Sequence, residues 1–197
     1  MDSLKFEFTE PRRREIINGK VYFMAGTSTE HGEAVGNLLS IFHNYLKGKK
    51  CRVYGEGINV KFDGESPEVL PDIKIVCDPD KIKRTHIEGA PDFIAEVLSP
   101  RTKKKDTTEK KELYEKNGVK EYWIIDTNDK SIEVNLLKDG RYVIDYVYVK
   151  FNEYDTKDIE AAGSEDEKEM LKITTVKTSL FGDDLVVNIA DVFENID

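Results

Sequence analysis

Apolar residues in this chain fall into short runs separated by turn-forming pairs, and in two stretches they recur at helical spacing instead. Asn18-Gly19 is the first strong turn signal, because both residue types tolerate the positive φ of a tight hairpin; residues 15–17 and 20–24 supply its strands. Val35, Leu38, Leu39, Phe42 and Leu46 then repeat every three or four positions, which predicts a helix over 30–47 packed by one face. Thr27-Ser28-Thr29-Glu30 offers it capping side chains and Gly48 a stop. Strands follow at 52–54 and 58–62, broken at Gly55 and Gly57, with a further turn at Asp63-Gly64. Residues 69–77 read as one strand ended by Asp78-Pro79-Asp80, and the polar residues 80–90 as a loop.

The densest patterning lies between residues 71 and 126. Residues 92–98 are a continuous apolar run interrupted only by Glu96 and ended by Ser99-Pro100. Asp106-Thr107-Thr108-Glu109 fits a capping box, predicting a helix from there to about Asn117 with Gly118 just beyond its end. Strands are expected at 119–126, 131–137 and 141–149, the last two joined at Asp139-Gly140. Residues 152–172 break the pattern: they are acidic, bury little, and read as a surface insertion with a short helix at 165–171. Strands resume at 173–178 and 184–188, and 189–196 form a short closing helix. No repeat and no second domain is visible, so residues 1–197 read as a single α/β (α+β) domain.

Composition narrows the class. Apolar residues make up 39% and charged residues 35% of the 197 positions, the balance of a globular protein with a heavily charged surface. No apolar leader opens the chain and no run approaches the roughly 20 apolar residues that span a bilayer, which argues for the cytoplasm and against a membrane partner. Cys51 and Cys77 are too few for a disulfide framework and lie outside any CxxC, so they read as two small buried hydrophobes. The formal net charge is −9, which disfavours strong non-specific nucleic-acid binding. Charge is segregated, however. Arg101, Lys103, Lys104 and Lys105 crowd one segment while residues 153–169 carry much of the acidic excess, so a local basic site remains open.

Two carboxylates stand out against the apolar pattern: Asp72 opens one run and Glu96 sits inside another. A charge within a buried strand is costly unless something balances it, and a metal ion is one such partner. If the two strands are neighbours, a spacing of roughly 5 Å lets both carboxylates reach one cation. Oxygen ligands of this kind suit Mg²⁺, which supplies hydroxide from bound water and offsets charge developing on a phosphate. On the helix that follows, Asp106, Lys110, Leu113 and Tyr114 share one face, so Lys110 is carried inward with its apolar neighbours while Lys111 points to solvent. Such a lysine would pair with the carboxylates and could orient or help deprotonate an attacking water. The competing reading is a metal-free salt bridge from Glu96 to Lys110. Lys103–Lys105 precede the capping box and lie in a loop, either solvated or touching phosphate. His31 reads as a surface residue at a helix end, and Tyr122 and Trp123 as core.

The ordered segments PDIKIV, PDFIAEVLSP, KKKDTTEKKELY and NGVKEYWIID resemble the Uma2 family of restriction-endonuclease-like domains, within the PD-(D/E)XK nuclease superfamily. INGKVYFM, EHGEAVGNLL and LFGDDLVVNIADVF also look like family segments, so the resemblance covers nearly the whole chain. It implies a restriction-endonuclease-like fold, a central mixed β-sheet flanked by helices, and metal-dependent hydrolysis of DNA phosphodiesters with Mg²⁺ or Mn²⁺. Carried over, Asp72 and Glu96 match the metal-binding carboxylates, with Val97 as the position whose main-chain carbonyl often joins them. One departure matters. The superfamily's lysine would follow the second carboxylate by two residues, where this chain has Leu98, and Lys110 on the next helix matches the migrated lysine. The expected catalytic set is therefore Asp72, Glu96 and Lys110. DNA is the expected partner with RNA left open, and a homodimer is expected because cutting both strands calls for two sites. A catalytically inactive member of the fold, serving as a nucleic-acid or protein interaction module, is the alternative.

Overall fold

The computed structural model describes residues 13–24, 26–62 and 68–196. The N-terminal stretch through Arg12 and the turn expected at Asp63-Gly64 lie outside these residues. In chain order the elements are β1 (Arg14–Ile17), β2 (Lys20–Phe23), α1 (Thr29–Leu46), β3 (Arg52–Tyr54), β4 (Asn59–Lys61), β5 (Glu68–Val69) and β6 (Ile73–Val76). Then come β7 (His86–Glu88), β8 (Phe93–Val97), α2 (Lys103–Lys105), a π-helical turn (Asp106–Lys110), α3 (Lys111–Lys116), β9 (Glu121–Asp126), β10 (Ser131–Lys138) and β11 (Arg141–Val149). The chain closes with α4 (Glu153–Ala162), α5 (Glu165–Met170), β12 (Thr175–Lys177), β13 (Val186–Asn188) and α6 (Ile189–Val192).

Six strands form the main sheet in the order β11-β10-β9-β8-β6-β3, and five form a second sheet in the order β2-β1-β5-β4-β7. Among the described residues, only β8 with β9 and β4 with β7 pair in parallel within these sheets. Asn18 and Gly19 carry φ of 50° and 73°, the two positive values that a two-residue hairpin demands, and they join β1 to β2.

Side-chain alternation gives the main sheet two apolar faces, because both are covered. Ile73, Ile75, Phe93, Ala95 and Trp123 pack against Ala34, Leu38 and Phe42 of α1 and against α6. Phe42 is fully buried and meets Phe93 edge-on at 5.1 Å, so truncating it to alanine would cost about 3–5 kcal/mol. The opposite residues, Val76, Ile94, Tyr122 and Ile124, pack against Ile17, Val60, Val69 and Ile87 of the second sheet and against Leu113 and Tyr114 of α3. Tyr122 and Trp123 are both fully buried, as the apolar run implied. The candidate carboxylates lie on the second face.

Several elements differ from the sequence reading. The strand expected at 69–77 is two strands, β5 and β6, interrupted at residues 70–72, so that the chain passes from one sheet to the other. The loop expected at 80–90 contains β7, which finds β4 as a parallel partner. Residues 152–172 form two helices, each capped by its own side chain (Asn152 and Ser164), and neither buries a residue. Cys51 and Cys77 form a disulfide across 26 positions of sequence. Their pairing follows from register: Arg52 faces Val76, and one step outward sets the two cysteines opposite each other. No helix among the described residues is long and apolar enough to cross a membrane.

Candidate active site

The β6–β8 register brings the carboxylates together. Ile73 pairs with Ala95 in antiparallel sense, so Asp72 and Glu96 come opposite on the same face. Both are buried. Oδ2 of Asp72 accepts from the Val97 amide at 2.8 Å and contacts Nε2 of His31 at 3.2 Å. Oε1 of Glu96 accepts from Lys110 at 2.8 Å and from the Tyr114 hydroxyl at 2.6 Å. One oxygen of each carboxylate therefore has no hydrogen bond among the described residues.

Lys110 reaches this centre because the helix is wound differently from the expectation. A capping box at Asp106 would have started the helix there, but winding begins at Lys103 and Asp106 opens a π-helical turn. The wider turn disturbs the i to i−4 ladder, and the hydroxyls of Thr107 and Thr108 also bond the carbonyls of Lys103 and Lys104, at 2.7 and 2.6 Å. Asp106 and Lys110 both turn inward and are buried, with 3.5 Å between Oδ1 and Nζ. Lys103 pairs with Asp126 at 2.8 Å and Lys105 with Glu15 at 2.5 Å, so the segment read as a loop is a fixed helical turn. Lys111 does not simply face solvent. It is half-buried and bound to Glu133 at 2.9 Å.

Three further residues belong to the site. Glu15 of β1 is buried; it accepts from Lys110 at 2.9 Å, from Lys105, and from the Leu70 amide at 3.1 Å. His31, expected at the surface, is only 4% exposed, with Nε2 on Asp72 and Nδ1 3.8 Å from Glu56. His31, Glu56 and Asp72 each offer one ligand atom, all within 4.8 Å of one another. Lys74 alternates with Asp72 on the same strand face and is fully buried, its amine donating to the carbonyls of Gly55 at 2.8 Å and Pro71 at 2.9 Å. It thereby clamps the Glu56 loop to the Asp72 turn. A cavity of about 840 Å³ opens onto Glu15, His31, Asp72, Glu96, Asp106 and Lys110.

Electrostatics here is set by three buried carboxylates around one amine. Burial pushes Glu96 up to about 8, with Lys110 opposing and Asp72 and Asp106 reinforcing the rise. Burial also raises Asp106. Burial opposes the charge on Lys110, yet Glu96, Glu15 and Asp106 outweigh it and hold the amine well above its usual range. Lys74 has less compensation, and burial pulls it down to about 8. His31 is raised despite its burial, because Asp72 and Glu56 favour the imidazolium. The centre thus carries excess negative potential that a proton or a cation must offset.

Of the expected set, the structure brings Asp72, Glu96 and Lys110 into one cluster. Sequence reasoning missed Glu15, because a glutamate in a hairpin of the other sheet carries no local signal. It also missed Lys74, although a lysine alternating with Asp72 inside an apolar run is a signal that could have found it, and it placed His31 at the surface, whereas the structure buries it.

A family model described as "Putative restriction endonuclease", Uma2, matches residues 2–161. The chain belongs to the Uma2 family. An uncharacterized protein of Synechocystis sp. is 28% identical over 144 residues, 72% of this chain and 75% of the relative. A crystal structure of "a putative nuclease belonging to DUF820" from Anabaena variabilis superposes with a TM-score of 0.67 at 19% identity, covering 91% of this chain and 89% of the other. That likeness establishes the restriction-endonuclease-like fold, a mixed α/β arrangement with sheets flanked by helices. Within this Uma2 chain, residues 162–197 lie beyond the matched segment.

Proposed function

We propose that this chain is a metal-dependent nuclease that hydrolyses DNA phosphodiesters, with Asp72, Glu96 and Lys110 at its reaction centre. One observation carries the reading. Two carboxylates stand opposite on adjacent strands, each with an oxygen free of hydrogen bonds among the described residues, beside a lysine in an open cavity. The family's description as a restriction endonuclease supports the same chemistry.

The donor set fits a hard divalent cation, Mg²⁺ or Mn²⁺, held by Asp72 and Glu96, since such ions take one or two carboxylates and keep several waters. Bound there, it would supply Lewis acidity at a phosphate oxygen and a lowered pKa for water. The protein's own residues do the rest. The Val97 amide and His31 fix Asp72, and the Tyr114 hydroxyl fixes Glu96. Lys110 stays protonated across the neutral range, so it serves by donating hydrogen bonds to a water or phosphate oxygen and offsetting charge in the transition state, not as a base. Two copies, one per strand, would make a double-strand cut, and RNA is the alternative substrate.

A second reading has its own support. Lys110 is shared among Glu15, Glu96 and Asp106, a salt-bridge network that could stand without metal and would suit an inactive interaction module. Calorimetric titration with Mg²⁺, Mn²⁺ and Ca²⁺ separates the two. The nuclease reading expects binding below the millimolar range in the wild type, lost in Asp72→Asn and Glu96→Gln. Absence of binding in the wild type moves the account to the module.

A further inference from the structure

We propose that Phe23 is a stacking platform for an unpaired nucleobase of the substrate strand, so that this site takes single-stranded or locally opened nucleic acid. The inference rests on the nuclease reading and adds to it the form of substrate. Phe23 is 64% exposed on β2, an edge strand, and it lines the same cavity as Asp72, Glu96 and Lys110. A ring this exposed adds little to the core, so burial does not account for it. Val21, two residues earlier on the same strand face, is 48% exposed and extends the apolar edge.

The hairpin that carries the ring is tied to the helix that carries the lysine. The Tyr22 hydroxyl donates to Glu109 at 2.8 Å, and the Lys105 amine sits 5.1 Å from the centre of the Tyr22 ring. Glu15 pairs across the hairpin with Tyr22 and binds Lys110 at 2.9 Å, while Phe23 pairs with the next residue, Arg14. Alternation sets the Phe23 ring on the opposite face of β2 from Tyr22 and Glu15, so it meets the cavity at its rim, with Val21 beside it, and not next to the lysine. Arg101 lines the same cavity, is exposed, and forms no ion pair among the described residues. The mouth thus offers a π face for a base and a guanidinium for a phosphate. Stacking of this kind tolerates any base sequence, since every base has a π face. Bases inside a duplex stack on one another and do not present that face, which is why the opened strand is the fitting occupant. The charged interior behind the ring disfavours an apolar protein segment or a lipid surface in its place.

The test uses oligonucleotides carrying 2-aminopurine as single strands, as duplexes with overhangs and as blunt duplexes, titrated with the full chain in Ca²⁺. Binding of single strands and overhangs should quench the fluorophore. Phe23→Ala should remove the quench and weaken single-strand binding by at least roughly five-fold, with blunt-duplex affinity unchanged. Phe23→Tyr should behave as wild type, and Phe23→Leu, which keeps the apolar bulk, should still lose the quench. Wild-type affinity and quench in Phe23→Ala, with nucleic acid bound, overturn the stacking role alone. A wild-type chain that binds none of the three forms overturns the nuclease reading, and the stacking role with it.

Discussion

Replacing Glu96 by glutamine should flatten the pH dependence of stability in the metal-free protein. In the fold Glu96 titrates at about 8 against an ordinary 4.5, a difference equivalent to about 5 kcal/mol between protonated and ionised forms as an upper bound. Below about pH 4.5 the group is protonated folded and unfolded, and it has no effect on the balance. Between 4.5 and 8 the folded protein keeps a proton that the unfolded chain has released, so rising pH removes up to about 1.4 kcal/mol of stability per pH unit. Above 8 both states are ionised and the full penalty stands. Glutamine keeps an oxygen to accept from Lys110 and Tyr114 but cannot ionise. Urea denaturation of both proteins in EDTA at pH 5, 6, 7 and 8 measures the effect. His31, also raised, loses stability in the same direction, but it is present in both proteins, so to first order the difference between them isolates Glu96. The variant should gain on the wild type by several kcal/mol from pH 5 to 8. Parallel curves would show that Glu96 is ionised throughout and that no excess charge awaits a cation.

Lys110→Met removes the cation shared by three buried carboxylates; cleavage rate should fall roughly 10²–10³-fold, and folding stability without metal by about 3–5 kcal/mol. Lys111→Ala breaks a half-buried pair with Glu133 and should cost under about 1 kcal/mol, with a cleavage rate within assay scatter of wild type. Exchanging residues 152–172 for a Gly-Ser loop should leave the melting temperature nearly unchanged, because α4 and α5 bury no residue; loss of soluble protein would assign the segment a structural contact. Thiol titration of the denatured, unreduced protein should find no free thiol, and reduction should lower stability by about 3.5 kcal/mol for a loop of 26 residues. Two reactive thiols before reduction would remove the cross-strand disulfide.

What the sequence made legible was whatever depends on local pattern. Alternation and turn chemistry located both tight hairpins, at Asn18-Gly19 and Asp139-Gly140, and the latter pair carries positive φ at both residues as expected. Two apolar runs each holding one carboxylate marked Asp72 and Glu96 as a pair that would meet if their strands were neighbours, and β6 and β8 are neighbours. Helical spacing likewise carried Lys110 inward with Leu113 and Tyr114. Assembly between distant segments was not legible. Glu15 joins the site because the second sheet folds over the main one, and Cys51 meets Cys77 through a register no spacing rule encodes. Asp106-Thr107-Thr108-Glu109 misled for a physical reason: short polar side chains that cap a helix start also bond carbonyls one turn back inside a helix, as Thr107 and Thr108 do here. His31 misled because a histidine in a first helical turn is ordinarily wet, and only the Asp72 turn packed against it makes it buried.

The central claim is that Asp72 and Glu96 form a cation-dependent phosphodiesterase centre. Its most direct test is a cleavage assay on single-stranded, double-stranded and branched DNA with Mn²⁺, wild type beside Glu96→Gln prepared identically. The account predicts cleavage by the wild type that EDTA abolishes and that Glu96→Gln lacks while remaining folded. Equal cleavage by both proteins, or none by a wild type shown to bind Mn²⁺ and DNA, would contradict it.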